Sequence, residues 1–421
     1  MTPGRSEPGR SERGPSKLGT AEPGASDLLV AAAQVIPATP GSHLLAPGYV
    51  AVSGGVITDV GAGPPPRAPD VELSSGLLLP GLVDLQVNGY FGEELMTAGP
   101  DGWDLIAGRL PETGTTSFLP TFITAPLAAL GGALRAASDI APALAPGGAR
   151  VLGIHLEGPF IAPARRGAHN EAWITTATPA AVDELLAAGG GLLRLVTLAP
   201  ERDGAIGAID RLVGAGVRVS IGHSDATARQ VAEAADHGAR MVTHLFDAQR
   251  PLHHREPGVA GQALADPRLT SGLIADLRHV CAEICGIAFA AAPGRICIVT
   301  DAAACAGMPP GRYLLGGKPI ELPAGDGMPP VRGDGTLAGS GLRMDTGIAN
   351  MVKAGVGLAD AVAAATRIPA DLIGRPDLGR IAPGAAADLA WVGDDMRTNA
   401  TWIGGELVYS RAGQDRDRDR A

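Results

Sequence analysis

Cysteine is scarce in this 421-residue chain: Cys281, Cys285, Cys297 and Cys305, all within one short stretch. A disulfide framework spreads its cysteines along a small secreted chain, so that class is excluded. The CxxxC at 281 and 285 has no second pair at zinc-site spacing, which leaves free thiols in a reducing compartment as the expectation. No apolar run approaches 18 residues, and no apolar stretch follows the basic residues at the start, so a soluble, cytoplasmic protein is expected. Positive charge is also short, with 34 Lys+Arg against 44 Asp+Glu and a net charge of -10. That balance excludes an electrostatic grip on nucleic acid or on an anionic membrane, and requires any anionic ligand to be held by a local cationic pocket. Glycine is plentiful, at 60 residues, but does not recur at every third position, which excludes a collagen-like chain.

Enough remains to build a large core: hydrophobic residues make up 45% of the chain, and the length predicts one large domain with a smaller one. Residues 1–25 and 412–421 are polar, Pro/Gly-rich or charge-alternating and are expected to be disordered. Short β-type runs at 28–36, 48–52 and 56–60 return at 389–392 and 407–409, predicting a small β-sandwich domain from both chain ends, residues 26–78 plus 382–411. Between them, over 79–381, apolar β-type runs at 81–88, 116–124, 151–157, 192–198, 217–223, 241–246, 269–275 and 295–301 alternate with Ala/Leu-rich helical segments such as 126–137, 179–188 and 226–237. Eight strands with crossovers predict an α/β fold of the (β/α)8, TIM-barrel type. The competing doubly wound sheet would carry GxGxxG after its first strand, and none is present.

Barrel chemistry sits at the C-terminal ends of strands, and unusual polar residues fall there. The runs end in Asp84 to Asn88, His155 to Glu157, His223-Ser224, Thr243-His244, Asp276 with His279, and Thr300-Asp301. Glu157, His223 and His244 supply one carboxylate and two imidazoles, a three-ligand set for a catalytic divalent metal with a position left open. Zinc suits the set, and iron or manganese fits the same ligand types. Asp301, on the last strand, is placed to shuttle a proton across the mouth. His43 and His237 lie away from strand ends and are read as structural or surface residues.

Quoted in order, LLLPGLVDLQVN (77–88), HLEGPFI (155–161), GAHN (167–170), GHSDAT (222–227), THLFDA (243–248), REPG (255–258), VTDA (299–302) and LAGS (337–340) resemble the amidohydrolase superfamily. Within it they are similar to the N-acetylglucosamine-6-phosphate deacetylase family, over residues 28–411. The resemblance implies a barrel with a small β domain, usually in a homodimer, that hydrolyses an acetamide in amino-sugar catabolism. It implies Glu157, His223 and His244 as metal ligands and Asp301 as catalytic acid/base, with His169 assisting at the oxyanion. It also implies a sugar-phosphate site at Ala168, His169, Asp247, Ala248, Arg255, Asp276, Leu277, Arg278, His279, Leu337, Ala338 and Gly339. There Arg255, often shared across the dimer interface, and His279 take the phosphate. Other readings are a deacetylase for another sugar such as N-acetylgalactosamine-6-phosphate, a deaminase, or a non-catalytic sugar-phosphate-binding barrel.

Several residues depart from that pattern. Gln86 and Asn88 stand where many superfamily members have a metal-binding HxH pair, and Lys17, Lys318 and Lys353, expected in the tail, a loop and a late helix, are the only lysines. Neither a second metal nor a carboxylated-lysine bridge is therefore expected. Asp247 replaces the usual Asn, which is unfavourable beside a phosphate unless its backbone makes the contact, and Arg278 adds a positive charge that would restore the balance. Without the tails, which carry +2 (1–20) and +1 (411–421), the body is nearer -13.

Overall fold

A computed structural model describes residues 27–325 and 327–413. The stretches 1–25 and 414–421, expected to be disordered, lie outside the described residues. Eight parallel strands form the barrel: Leu82–Val87, Thr115–Ile123, Ile154–Glu157, Leu193–Leu198, Arg218–Ile221, Met241–Val242, Thr270–Ile274 and Ile296–Val299. Each pairs in parallel with the next, as in Glu157↔Thr197 and Ile274↔Val299. The eighth closes on the first through side chains and a single bridge. Val87 pairs with Ala302, and the Thr300 hydroxyl and N–H donate to buried Asp84. Burial pushes the Asp84 carboxyl up to about 6.

The strands are mostly apolar and buried along nearly their whole length, with Arg194 and Arg218 near two strand starts exposed, because both faces are covered, one by helices and one by the barrel interior. The interior also holds a ladder of hydroxyls. His155 Nε2 meets Thr197 Oγ1 at 2.8 Å, Thr197 meets Thr243 at 2.7 Å, and Thr243 meets Ser220 at 2.6 Å. Burial lowers the His155 imidazole to about 4, so it sits there neutral. His155 is thus a structural partner of neighbouring strands, two residues below Glu157.

Several expected strands are shorter than their apolar runs, as at 217–223 (Arg218–Ile221) and 295–301 (Ile296–Val299), and two of them break for reasons visible in the backbone. The run 151–157 breaks into Arg150–Val151 and Ile154–Glu157 at Gly153 (φ 139°), where an added Cβ would lie 2.0 Å from Arg194 Cγ. The run 241–246 keeps strand pairing only over Met241–Val242, because His244 (φ 28°) and Phe246 (φ 79°) turn the chain toward the mouth. The helices match their periodicity closely, as in Leu127–Ile140 and Pro179–Gly189. Ala228–Asp236 begins at a capping box in which Thr227 and Gln230 satisfy each other's backbone N–H groups, worth about 1 kcal/mol.

Outside the barrel, Leu28–Ala32, Gly48–Ser53, Val56–Ala62 and Val71–Leu73 make one four-stranded sheet. Leu77–Pro80, Leu389–Val392, Thr398–Ile403 and Glu406–Ser410 make a second. Leu28, Val30, Val50, Leu78, Leu389, Trp391 and Trp402 bury into one shared apolar cluster between them. The run 28–36 ends as a strand at Ala32, after which Val35 makes isolated bridges to Leu45 and Leu78. After the eighth barrel strand comes a hairpin, Gly311–Leu315 with Lys318–Leu322, so Lys318 opens a strand and is not in a loop. Among the described residues no helix is long and apolar enough to cross a membrane. The four cysteines are free; Cys281 is exposed and the others are buried.

Candidate metal centre and cavity

Glu157 is the last residue of the third barrel strand, and His223, His244 and Asp301 each lie two residues past the end of the fifth, sixth and eighth. The last three adopt left-handed backbone, with φ of 47°, 28° and 50°. Non-glycine residues rarely occupy that region. Here it turns each chain at the strand end, and all three residues border one cavity. Gly158 (φ 90°) follows Glu157, and a Cβ there would lie 2.2 Å from Thr124 Oγ1. The missing side chain lets Thr124 approach and hold His169, with Oγ1 2.7 Å from Nδ1 and the backbone N–H donating to Nδ1 at 3.3 Å. On that hydrogen-bond assignment the imidazole proton is on Nε2, which lies 3.8 Å from Glu157 Oε2. Burial first, then the charge of His223, holds the His169 imidazole well below its usual range, so it is neutral.

The three expected ligands converge. Glu157 Oε1 lies 2.9 Å from His244 Nε2 and 3.2 Å from His223 Nε2, and the two imidazole nitrogens are 3.1 Å apart. All three side chains are buried, and among the described residues this is the His/Cys/Asp/Glu group able to hold an ion. His223 Nδ1 donates to the carbonyl of Arg165 at 2.9 Å, so once the ring is neutral its lone pair is on Nε2, facing Glu157 and His244. Two imidazole nitrogens and a carboxylate oxygen crowded together, one nitrogen a fixed acceptor, form a donor set that fits a divalent cation. Gln86 Nε2 donates to Glu157 Oε1 and to Asp301 Oδ1, both at 3.0 Å, and Asn88 Nδ2 donates to Asp301 Oδ1 at 2.6 Å. The two amides thus sit where ligand imidazoles were absent from the sequence, and orient carboxylates instead.

Electrostatics follow from burial and crowding. Burial would raise the Glu157 carboxyl, but hydrogen bonds and charge from His223 and His244 outweigh it and hold the group well below the usual range. Burial would lower the His244 imidazole, yet Glu157 carries it up to about 9. Burial, then the charge of Glu157, pushes Asp301 up to about 7. An ion entering this site below pH 9 must therefore displace a proton from His244. Calorimetric zinc titration in two buffers of different ionisation enthalpy should read about one proton released per ion, with affinity rising up to about tenfold per pH unit. A binding heat independent of buffer would contradict it.

The cavity, about 300 Å³, is bordered by Glu157, His223, His244 and Asp301 and by the expected residues Ala168, His169, Asp247, Ala248, His279, Leu337 and Gly339. Asp276 does not border it but fixes His279, whose Nδ1 lies 2.7 Å from Asp276 Oδ2. Burial opposes charge on His279, and the Asp276 carboxylate overcomes it, raising the imidazole's pKa. Leu277 and Arg278 also lie outside the lining, with Arg278 exposed, and Ala338 is buried with Ile123 and Ala303. Arg255 is exposed on a loop, its Nη1 2.8 Å from His254 Nε2. Asp247 Oδ2 is shut off from solvent without a hydrogen-bond partner. Sequence reading missed Thr124, Arg165, Ile123, Ile274, Leu315 and Thr336 at the site; no spacing links Thr124 to His169, 45 residues on. His237 is an exposed partner of Asp210 at 2.8 Å.

With this geometry in place, the likeness to known proteins has a structural basis. The family model described as "Amidohydrolase family" matches residues 77–408. An N-acetylgalactosamine-6-phosphate deacetylase of Escherichia coli O157:H7 is 38% identical over 340 residues, 80% of this chain and 89% of that one. An N-acetylglucosamine-6-phosphate deacetylase of Bos taurus is 40% identical over 364 residues, 82% of this chain and 86% of that one. A mutant N-acetyl-D-glucosamine-6-phosphate deacetylase of Mycobacterium smegmatis, solved with N-acetyl-D-glucosamine-6-phosphate, superposes with a TM-score of 0.86 at 34% identity, covering 91% of this chain and 100% of the other. The chain belongs to the amidohydrolase family, on its branch of N-acetyl amino-sugar-phosphate deacetylases.

Proposed function

We propose that this protein hydrolyses the acetamide of N-acetylglucosamine-6-phosphate to glucosamine-6-phosphate and acetate. The observation that carries the reading is the buried Glu157, His223 and His244 group beside Asp301 at the mouth of a barrel. It occurs in a chain 40% identical to a deacetylase of that substrate.

Glu157, His223 and His244 would hold one divalent ion, zinc in our reading, with iron or manganese compatible with the same donors. Bound there, such an ion supplies Lewis acidity and makes water acidic enough to attack near neutral pH. Asp301 takes the proton of the attacking water while the water oxygen bonds to the acetamide carbon. Gln86 and Asn88 both hold its Oδ1, which leaves Oδ2 outside the amide network to carry that proton. His169, neutral and protonated on Nε2, donates to the carbonyl oxygen as it gains charge. Asp301 then delivers the proton to the departing nitrogen, the C–N bond breaks, and acetate and the free amine result.

Ala168, Asp247, Ala248 and Leu337 to Gly339 would shape the sugar site, with His279 braced by Asp276 as a cation for the phosphate. Arg255 points into solvent in a single chain, so its phosphate role requires a second copy, and we propose a homodimer. Free thiols and a metabolic substrate support a cytoplasmic location.

A second substrate, N-acetylgalactosamine-6-phosphate, is favoured by the 38% identity to a deacetylase of that sugar. Acetate release should be measured from both sugar phosphates, with metal content determined on the same sample. Faster release from the glucosamine compound is expected; faster release from the galactosamine compound would reassign the substrate, and none from either would reject both and leave the deaminase and binding-barrel readings.

A further inference from the structure

Arg165 ends the short turn Pro163–Arg165 in the loop that also carries Gly167, Ala168 and His169 to the cavity. Among the described residues it is the one Lys or Arg bordering that cavity, where three carboxylates, Glu157, Asp247 and Asp301, also face. Its guanidinium is held from one side: Nε and Nη2 both reach Asp225 Oδ1 at 2.8 Å. Asp225 is itself shared with Arg250, whose Nη2 donates to Oδ2 at 2.9 Å, so it neutralises neither arginine fully. Arg165 Nη1 has no partner among the described residues, and the side chain keeps 31% of its exposure.

We propose that Arg165 is a further phosphate-binding side chain of this cavity, supplied by the same subunit in addition to His279, and takes a phosphate oxygen on the guanidinium edge that Asp225 leaves open. A chain whose body is strongly negative cannot attract a dianion by overall field, so a positioned fork is required. Arg255, the expected fork, does not border the cavity of its own chain. Asp225 fixes the orientation of Arg165 in advance, which lowers the entropic cost of gripping the ligand. The carbonyl of Arg165 orients His223, so the anion site and the metal ligand share one rigid turn. Only the side chain is removed by substitution; the carbonyl stays.

The natural ligand in this inference rests on the phosphorylated-sugar reading above, and the experiment separates the two. Wild type, Arg165→Ala and Arg165→Lys are compared as full-length, metal-loaded enzyme with N-acetylglucosamine-6-phosphate, with N-acetylglucosamine, and with inorganic phosphate as inhibitor. Arg165→Ala should raise KM for the phosphorylated sugar, and the inhibition constant of phosphate, by at least about tenfold, with the loss falling on KM rather than kcat. Arg165→Lys should recover part of both, and KM for the unphosphorylated sugar should not follow. A rise shared equally by both sugars, or an unchanged phosphate inhibition constant, would overturn the assignment. If wild type does not prefer the phosphorylated sugar, the substrate reading fails, while the effect on phosphate inhibition still decides the role of Arg165.

Discussion

Asp301→Asn is expected to lower kcat by about a thousandfold, the middle of the range for a lost general acid/base, while metal content stays at the wild-type level. The substitution keeps the shape of the side chain and its Oδ1, the atom that accepts from Gln86 and Asn88, so the strand end should not move. What disappears is the oxygen that carries the proton. The pH profile gives a second readout. Burial and the charge of Glu157 push Asp301 up to about 7, and a base must be deprotonated, so kcat/KM rises with pH through its pKa. A bound cation opposite lowers that pKa, which places the wild-type limb below pH 7, and the variant should lose the limb altogether. Near-normal kcat in Asp301→Asn, measured as acetate release, would remove Asp301 from the chemistry.

His223→Ala and His244→Ala should each abolish measurable turnover by stripping the ion. Binding energy at a protein zinc site is spread over a few ligands, so losing one of three should weaken the ion by at least about a hundredfold. The two variants should nevertheless differ in folding. His223 is bonded outward to the Arg165 carbonyl at 2.9 Å, whereas His244 Nδ1 is buried without a partner. Removing His223 therefore also frees an acceptor in the loop, and its thermal midpoint should fall further than that of His244→Ala. Elemental analysis showing full occupancy in either variant would refute the ligand assignment.

How far the site could be read from sequence depended on the kind of signal each residue leaves. Glu157, His223, His244 and Asp301 were legible because a barrel puts strand ends at one mouth, so a polar residue closing an apolar run carries positional meaning. The residues that hold those side chains leave no such mark. Thr124 and Gly158 matter through a close approach that only a missing Cβ permits, since a Cβ at Gly158 would lie 2.2 Å from Thr124 Oγ1, and Arg165 through a carbonyl any residue would own. Strand lengths misled where the chain turns early: 241–246 is apolar throughout, but His244 and Phe246 adopt positive φ. Arg255 stood out as a guanidinium in the right motif, yet in the single chain it is exposed and outside the cavity lining, so motif alone did not place it.

The pairing of Leu389–Val392 with Leu77–Pro80 joins residues about three hundred positions apart, a separation that carries a consequence for synthesis. The first sheet and half of the cluster around Leu28, Val30 and Val50 emerge early from a ribosome, while Trp391 and Trp402, which cover them, emerge last. Contacts of such long range form slowly because the intervening loop must first be ordered. Until Leu389 and the strands after it are made, the sheet around Leu28, Val30 and Val50 lacks the apolar cover that Trp391 and Trp402 give it in the fold. Chaperone demand should concentrate in that interval, and truncations near residue 389 should aggregate rather than yield an isolated barrel.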